Sequence, residues 1–318
     1  MKIRFGFVAH ATSLHKCSPS HTITWAQAKK LTKTERKNKL MEVTAKNIAH
    51  TKRAIHYCIA QEFDLFRLSS AMVPLATHPD VMWDFVEPFQ QEWRQLGKLI
   101  SDHGIRVSFH PNQFTLFTSD KSEVTERSVK DLHFHNKMAN AMCLPECRFV
   151  LHIGGIYGNK EAAIERFHKN VRVLPAHLKD RLMFENDDKS YHAYDVLGIC
   201  IEEQLPFVFD YHHHVVHQGE RTLEDILPQM IKTWEHTKLP PKIHLSSPKD
   251  GNRSRAHADR LDLSFVRPFL ESMRAFDTDF DVMIEAKQKD KALLHFLNDL
   301  EKIRGVNRLS GGTIAYKP

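Results

Sequence analysis

The sequence predicts an α/β fold, a parallel (β/α)8 barrel, on three observations. Eight short apolar runs alternate with stretches of helical spacing along the chain. Six of those runs, RVSFH, FVLH, LMFE, FVFD, KIH and DVMIE, close on a residue able to bind a metal. These residues are His110, His152, Glu185, Asp210, His244 and Glu285, at intervals of 42, 33, 25, 34 and 41 residues. In a parallel barrel all strands point the same way, so six such side chains would converge on the C-terminal rim of the strands. The length of 318 residues also suits a barrel, which runs to roughly 250 residues before insertions.

In chain order the strand-like runs lie near 3–8, 64–69, 106–110, 148–152, 181–185, 206–210, 242–245 and 281–285. The first helical stretch, 35–61, sets Leu40, Val43, Ile48, Ile55 and Ile59 on a lysine-rich background. The second, 80–102, places Val81, Phe85, Phe89, Trp93, Leu96 and Ile100 at steps of three or four, an amphipathic pattern. Shorter helical patterns follow at 122–142, 159–173, 190–204, 222–236, 262–275 and 288–303. The irregular segments 9–34, 111–121, 154–158, 186–190, 211–221 and 246–261, with SSAMVP after the second run, become the loops on the active face of the barrel. No Gly/Ser-rich or Pro-rich linker interrupts the pattern, so residues 1–318 read as one domain.

Composition bounds the function. A hydrophobic fraction of 42% supports a full core and argues against disorder. The net charge of +6 suits a polyanionic partner, nucleic acid first, although many basic proteins have none. The five cysteines, Cys17, Cys58, Cys143, Cys147 and Cys200, are odd in number and form no CxxC pair, so they suggest neither a disulfide framework nor a structural zinc ribbon. The start MKIRFGFVAH lacks a long apolar stretch, and no run approaches 18 apolar residues. The expectation is a cytoplasmic protein with no membrane contact, associated with the nucleoid if bacterial.

Imidazole and carboxylate ligands without thiolate favour manganese, zinc or iron(II). His213, three residues beyond Asp210, and His257, in the loop SSPKDGNRSRAHADR, extend the candidate ligands to eight. Eight exceed the needs of one ion and point to two or three. A single buried histidine is usually structural, and 22 histidines offer many false leads, but these fall at the same end of successive strands. The same loop carries Lys249, Arg253, Arg255 and Arg260, either solvated charges or groups that track phosphates.

The motifs HPNQF, LHIGG, MFENDD, FDYHHH, KIHLSS and MIEAK, in this order, resemble the UV damage endonuclease family over residues 3–290. The resemblance implies a TIM barrel related to type IV apurinic endonucleases. It further implies a divalent metal cluster, manganese first with zinc or magnesium as alternatives. The expected reaction is a nick immediately 5′ of ultraviolet photoproducts in double-stranded DNA, leaving a 3′-hydroxyl and a 5′-phosphate. Carried over, His110, His152 and Glu185 hold one ion, Glu185, Asp210, His244 and Glu285 a second, and His213 with His257 a third. Glu185, Lys242, His244 and Glu285 form the expected catalytic set, and Lys242 matches a lysine that the family can carboxylate. A lysine salt-bridged to one of the carboxylates is the alternative. Gln113 and Phe114 match the pair inserted into the duplex at the lesion, with Phe where the family often has Tyr; otherwise the aromatic anchors its loop. Phe7 stands where the family's lesion pocket has a tyrosine. An apurinic-site endonuclease, a metal-dependent sugar isomerase and a non-catalytic DNA-binding module are the competing readings. A wide cleft for duplex suits a monomer.

Overall fold

The computed structural model describes residues 1–251 and 253–317. Eight parallel strands follow one another round a closed ring: β1 (Lys2–Val8), β2 (Leu65–Arg67), β3 (Arg106–Phe109), β4 (Arg148–His152), β5 (Leu182–Glu185), β6 (Phe207–Asp210), β7 (Lys242–Leu245) and β8 (Phe280–Ile284). β1 pairs with β8 from Ile3–Phe280 to Phe7–Ile284 and with β2 from Gly6–Leu65 to Val8–Arg67, which shuts the ring. The outer helices are α1 (Trp25–Ala28), α2 (Lys33–Ala60), α3 (Gln90–Asp102), α4 (Ser122–Ala141), α5 (Lys160–Arg172), α6 (Ala176–Lys179), α7 (Ala193–Glu203), α8 (Tyr211–Val216), α9 (Leu223–Lys232), α10 (Leu263–Arg274) and α11 (Asp290–Leu300). The fold is the TIM barrel that the sequence predicts. Among the described residues no helix is long and apolar enough to cross a membrane.

Three elements depart from expectation, each for a local reason. The helix expected from residue 80 begins as α3 only at Gln90. Pro88 has no N–H to give the Asp84 carbonyl and would clash with it in a continuous helix, although Phe85 and Phe89 are still buried. The segment YHHHVV, expected as loop, turns into α8 because the Asp210 side chain accepts a hydrogen bond from His213 N–H as its N-cap. A further hairpin, β9 (Val306–Ser310) and β10 (Thr313–Tyr316), pairs antiparallel with β1 from Lys2–Ala315 to Arg4–Thr313. β2 covers only the upper half of β1, so the lower half would be an open edge without β10. Its signal was the Gly311–Gly312 pair between two alternating runs.

Side chains alternate along each strand between the barrel interior and the helix layer. On β1 this sends Phe5 against Phe296 of α11 and Phe7 against Tyr57, Phe63 and Phe66. Phe7 is fully buried in that outer layer and so is not the lesion-pocket residue that its place in the sequence suggested. The opposite parity faces inward: Val8 packs with Leu65 and Met283, and Arg4 reaches the floor of the barrel. There the fully buried Asp281 accepts bonds from Arg4 Nε at 2.7 Å, Arg4 Nη2 at 2.8 Å and Arg106 Nη1 at 2.5 Å.

This ion triad sits far below the rim, and removing its one carboxylate strands two guanidinium groups. Asp281→Asn is expected to lower unfolding stability by about 3–5 kcal/mol, the usual effect of breaking a buried charge pair. Urea unfolding measures it; a loss below about 1 kcal/mol would mean that the floor is hydrated rather than dry.

Candidate metal centre

The strand ends bring the predicted ligands together. Three groups have ligand atoms within 4.8 Å of one another: His110, His152 and Glu185; Glu185, Asp210 and His213; and Glu185, His244 and Glu285. Glu185 belongs to all three. The first group is the one expected from sequence. Asp210 groups with His213 rather than with His244 and Glu285, because both sit at the start of α8. His257 lies beside them, its ring centroid 5.9 Å from that of His213.

The histidines are oriented as metal ligands usually are. Nδ1 of His110, His213 and His257 lies 3.0, 2.9 and 2.8 Å from the carbonyl oxygens of Pro111, Asn186 and Glu285. A carbonyl only accepts, so Nδ1 carries a proton, and Nε2 is the nitrogen that can turn to a metal once it gives up its own. Asn186 braces the next strand through two bonds of 2.9 Å with the backbone of Asp210.

Several buried polar atoms lack a hydrogen-bond partner at this point: His152 Nδ1, Asp210 Oδ2 and both ring nitrogens of His244. His244 Nδ1 lies 3.0 Å from Glu185 Oε1 and 3.2 Å from Glu285 Oε1, but not in hydrogen-bond geometry. Such atoms normally find partners. Their convergence, with nitrogen and oxygen donors and no thiolate, fits a divalent metal.

Electrostatics agrees. Burial opposes the charge on Glu185, yet His244, His152 and the 3.2 Å hydrogen bond with His110 hold its carboxyl well below the usual range. Burial likewise opposes the charge on Glu285, but Arg67, with Nη1 2.5 Å from Oε1, and His244 hold it low. Burial pushes Asp210 up to about 6, and the carboxylates of Glu185 and Glu285 add to that. His213 is raised to about 9 against its burial by Asp210 and Glu185. The rim is therefore a concentration of negative charge that cations relieve.

Lys242 lies one layer lower inside the barrel, fully buried, with Nζ 2.9 Å from Ser108 Oγ. Among the described residues no carboxylate oxygen is within 4.0 Å of it, so the salt bridge considered from sequence is absent. Burial, reinforced by the charge of Arg106, holds its ammonium pKa well below the ordinary lysine value.

The loops around the rim differ in exposure and bonding. Gln113 and Phe114 are exposed, Phe114 to 73%. Asn112 shapes their turn, its Oδ1 accepting from Phe114 N–H at 2.8 Å. The aromatic that anchors this loop is instead the fully buried Phe117. Gly154, at φ +127°, lets the next loop pass close by; a Cβ there would lie 2.4 Å from Thr118 Oγ1. In the loop after β7, Lys249 and Arg253 are exposed. Arg255 instead clamps Asp188 with bonds of 2.5 and 2.8 Å, and Arg260 holds Gln288 at 2.9 Å.

Sequence reasoning missed the supports. Buried His212 bridges Ser246 Oγ at 2.7 Å and Ser254 O at 2.8 Å, fixing the base of the basic loop. Burial lowers its pKa to about 4, so it is a neutral strut. Arg67 had a readable signal, since it ends the second strand with a charge opposite to that of the carboxylates.

Comparison with known proteins follows the same lines. Residues 3–317 match the family described as UV-endonuclease UvdE. The UV DNA damage endonuclease of Bacillus cereus (strain 03BB102) is 50% identical over 317 residues, covering 99% of this chain and 100% of the relative. Its counterpart in Bacillus anthracis is 49% identical over the same length. The crystal structure of SacUVDE superposes with a TM-score of 0.84 at 28% identity, over 95% of this chain and 100% of that one. Endonuclease IV from Thermus thermophilus shares the fold, with a TM-score of 0.56 at 17% identity, over 94% of this chain and 100% of the other.

Since all three ligand groups pass through Glu185, Glu185→Gln should empty the rim while leaving the barrel folded. Replacing an outer partner of a metal ligand already costs roughly 10–100-fold in affinity, so a loss of roughly 100-fold or more is expected here. Elemental analysis after manganese loading and gel filtration, with circular dichroism as the fold control, reads the result. Full metal retention by the variant would remove Glu185 from the centre.

Proposed function

Because the chain belongs to the UV-endonuclease UvdE family, we propose that it nicks duplex DNA immediately 5′ of ultraviolet photoproducts, leaving a 3′-hydroxyl and a 5′-phosphate. The chain is a nuclease whose substrate is DNA; the finer reading takes cyclobutane pyrimidine dimers and 6-4 photoproducts as the lesions. One observation supports it above the others: the strand end that brings His110 to the shared metal-ligand cluster leads, three residues on, into the exposed Gln113–Phe114 turn.

The ligands would be distributed over two or three ions, manganese first. His110, His152 and Glu185 would hold one. Glu185, His244 and Glu285 would hold another, and Asp210 and His213 with His257 the third. Bound divalent ions supply an acidified water and neutralise charge on the phosphoryl oxygens, so no serine or cysteine nucleophile is needed. Lys242, buried with only a hydroxyl partner, is suited to carboxylation, which would turn it into an anionic ligand beneath the rim. Glu185, His244, Glu285 and Lys242 are the catalytic set on this reading.

The remaining residues bind and sort the substrate. A photoproduct weakens pairing and stacking, so moving it out of the helix costs less than moving intact bases. Gln113 and Phe114 would fill the space left, the phenyl ring stacking without needing a hydroxyl. Lys249 and Arg253 would follow flanking phosphates, while Arg255 spends its charge on Asp188 and shapes the loop. A single domain acting as a monomer in the cytoplasm, where bacterial DNA lies, completes the proposal.

Two experiments bear on it. An end-labelled duplex, intact or ultraviolet-irradiated, should be cut only when irradiated and only with manganese, just 5′ of dipyrimidine sites, and not in EDTA. Metallated protein that ignores irradiated DNA but cuts at abasic sites would replace the photoproduct with an apurinic substrate. Changing Gln113 and Phe114 to Ala should weaken binding to damaged duplex by about 1–3 kcal/mol, the worth of one base–aromatic stack, with metal content unchanged. Undiminished binding would rule out their insertion.

A further inference from the structure

Lys289 stands at the mouth of the barrel, where the chain turns from the end of β8 into α11. Its backbone has φ 51° and ψ −119°, a left-handed region that residues with side chains avoid and glycine tolerates. The turn is held from both sides nonetheless. Lys289 N–H donates to Ala286 O at 3.1 Å, and Lys289 O accepts from Leu293 N–H at 3.0 Å. The next residue, Asp290, is fully buried and accepts from the Thr12 hydroxyl at 2.8 Å and the Tyr57 hydroxyl at 3.0 Å.

The Lys289 side chain is half-buried; the charges of Arg67 and Glu285 act on it, and its own acts on His10. Glu285 is already engaged by Arg67 at 2.5 Å. Two cations thus face one carboxylate. Among the described residues no carboxylate oxygen lies within 4.0 Å of the Lys289 ammonium. A half-buried charge without a counter-ion is unfavourable, and a backbone conformation that disfavours lysine adds to that. Both make sense when an anion from outside completes the site, at the metal rim of a nuclease.

We propose that Lys289 binds a phosphate of the DNA strand being cut, held over the rim by its left-handed turn. The inference rests on the DNA-nicking reading of the same site. Exposed Lys287 and Arg260, the latter tied to Gln288 at 2.9 Å, continue the positive ground away from it.

The test uses manganese-loaded protein and irradiated duplex, with kcat/KM measured across a potassium chloride series for wild type, Lys289→Gly and Lys289→Met. Loss of one phosphate contact should flatten the slope of log(kcat/KM) against log[salt] by about 0.9 in both variants. A roughly tenfold lower kcat/KM at low salt should accompany it. Glycine suits the turn, so Lys289→Gly should keep or raise Tm, which separates lost binding from damaged folding. An unchanged salt slope in Lys289→Gly overturns the proposal, and so does a slope lost only together with a lower Tm. If wild type itself leaves irradiated duplex uncut, the DNA-nicking reading fails first and takes this inference with it.

Discussion

A single buried carboxylate organises this barrel. Glu185 is 1% exposed and belongs to each of the three ligand groups, so His110, His152, His213 and His244 all have to be brought to it. A carboxylate removed from water is unfavourable unless neighbours compensate it. Here imidazoles do so in part, and the remaining unpartnered atoms mark the place for cations. The strands below are built in charge layers that avoid competing with this rim. Asp281 is neutralised at the floor by Arg4 and Arg106, and Lys242 with Ser108 occupies the level between. The floor pairs its charges internally and Lys242 bonds only a hydroxyl, so neither layer engages the rim carboxylates, which stay available to metal.

Much of this was legible because a parallel strand announces its own end. Apolar runs of four or five residues closing on His, Glu or Asp needed no alignment to be read as a rim, and the eight strands form within two residues of expectation. What failed was the assignment of faces. On β1 the run RFGFV has aromatic residues at one parity and Arg4, Gly6 and Val8 at the other. Arg4 held the clue, since a charge in a barrel strand needs a partner inside the barrel, and Asp281 on the adjacent strand supplies it. Phe5 and Phe7 then had to face the helices. The β9–β10 hairpin escaped notice because the need for it, the uncovered lower edge of β1, exists only in three dimensions.

The supports of the site were less legible than the ligands, for a physical reason. A ligand is constrained to a strand end and a residue type. A support acts through the backbone, as when Asn186 holds the Asp210 peptide or the Glu285 carbonyl fixes His257. Spacing along the chain carries no record of such bonds. Arg255 shows the reverse error: its charge and loop suggested a phosphate contact, but a bidentate bond to Asp188 ties two loops of the rim together. The surface basicity available to DNA is smaller than the sequence count, and it is concentrated where no internal carboxylate competes.

Backbone strain is distributed unevenly along the chain. Positive φ at Cys143, Gln204 and Asp277 follows the C-terminal ends of α4, α7 and α10, an ordinary way to stop a helix. Positive φ at Ala9, Tyr157 and Lys289 instead lies in loops that leave the C-terminal ends of β1, β4 and β8. None of these three ends a helix. Strain of this kind persists only where surrounding bonds over-determine it. Asp290, gripping Thr12 and Tyr57, provides that constraint for the loops after β1 and β8 together. The turns after β1 and β8 are thus braced by one shared carboxylate beside the ligand cluster. The exposed Phe114 turn stands outside that frame, shaped only by the Asn112 bond to its own peptide N–H.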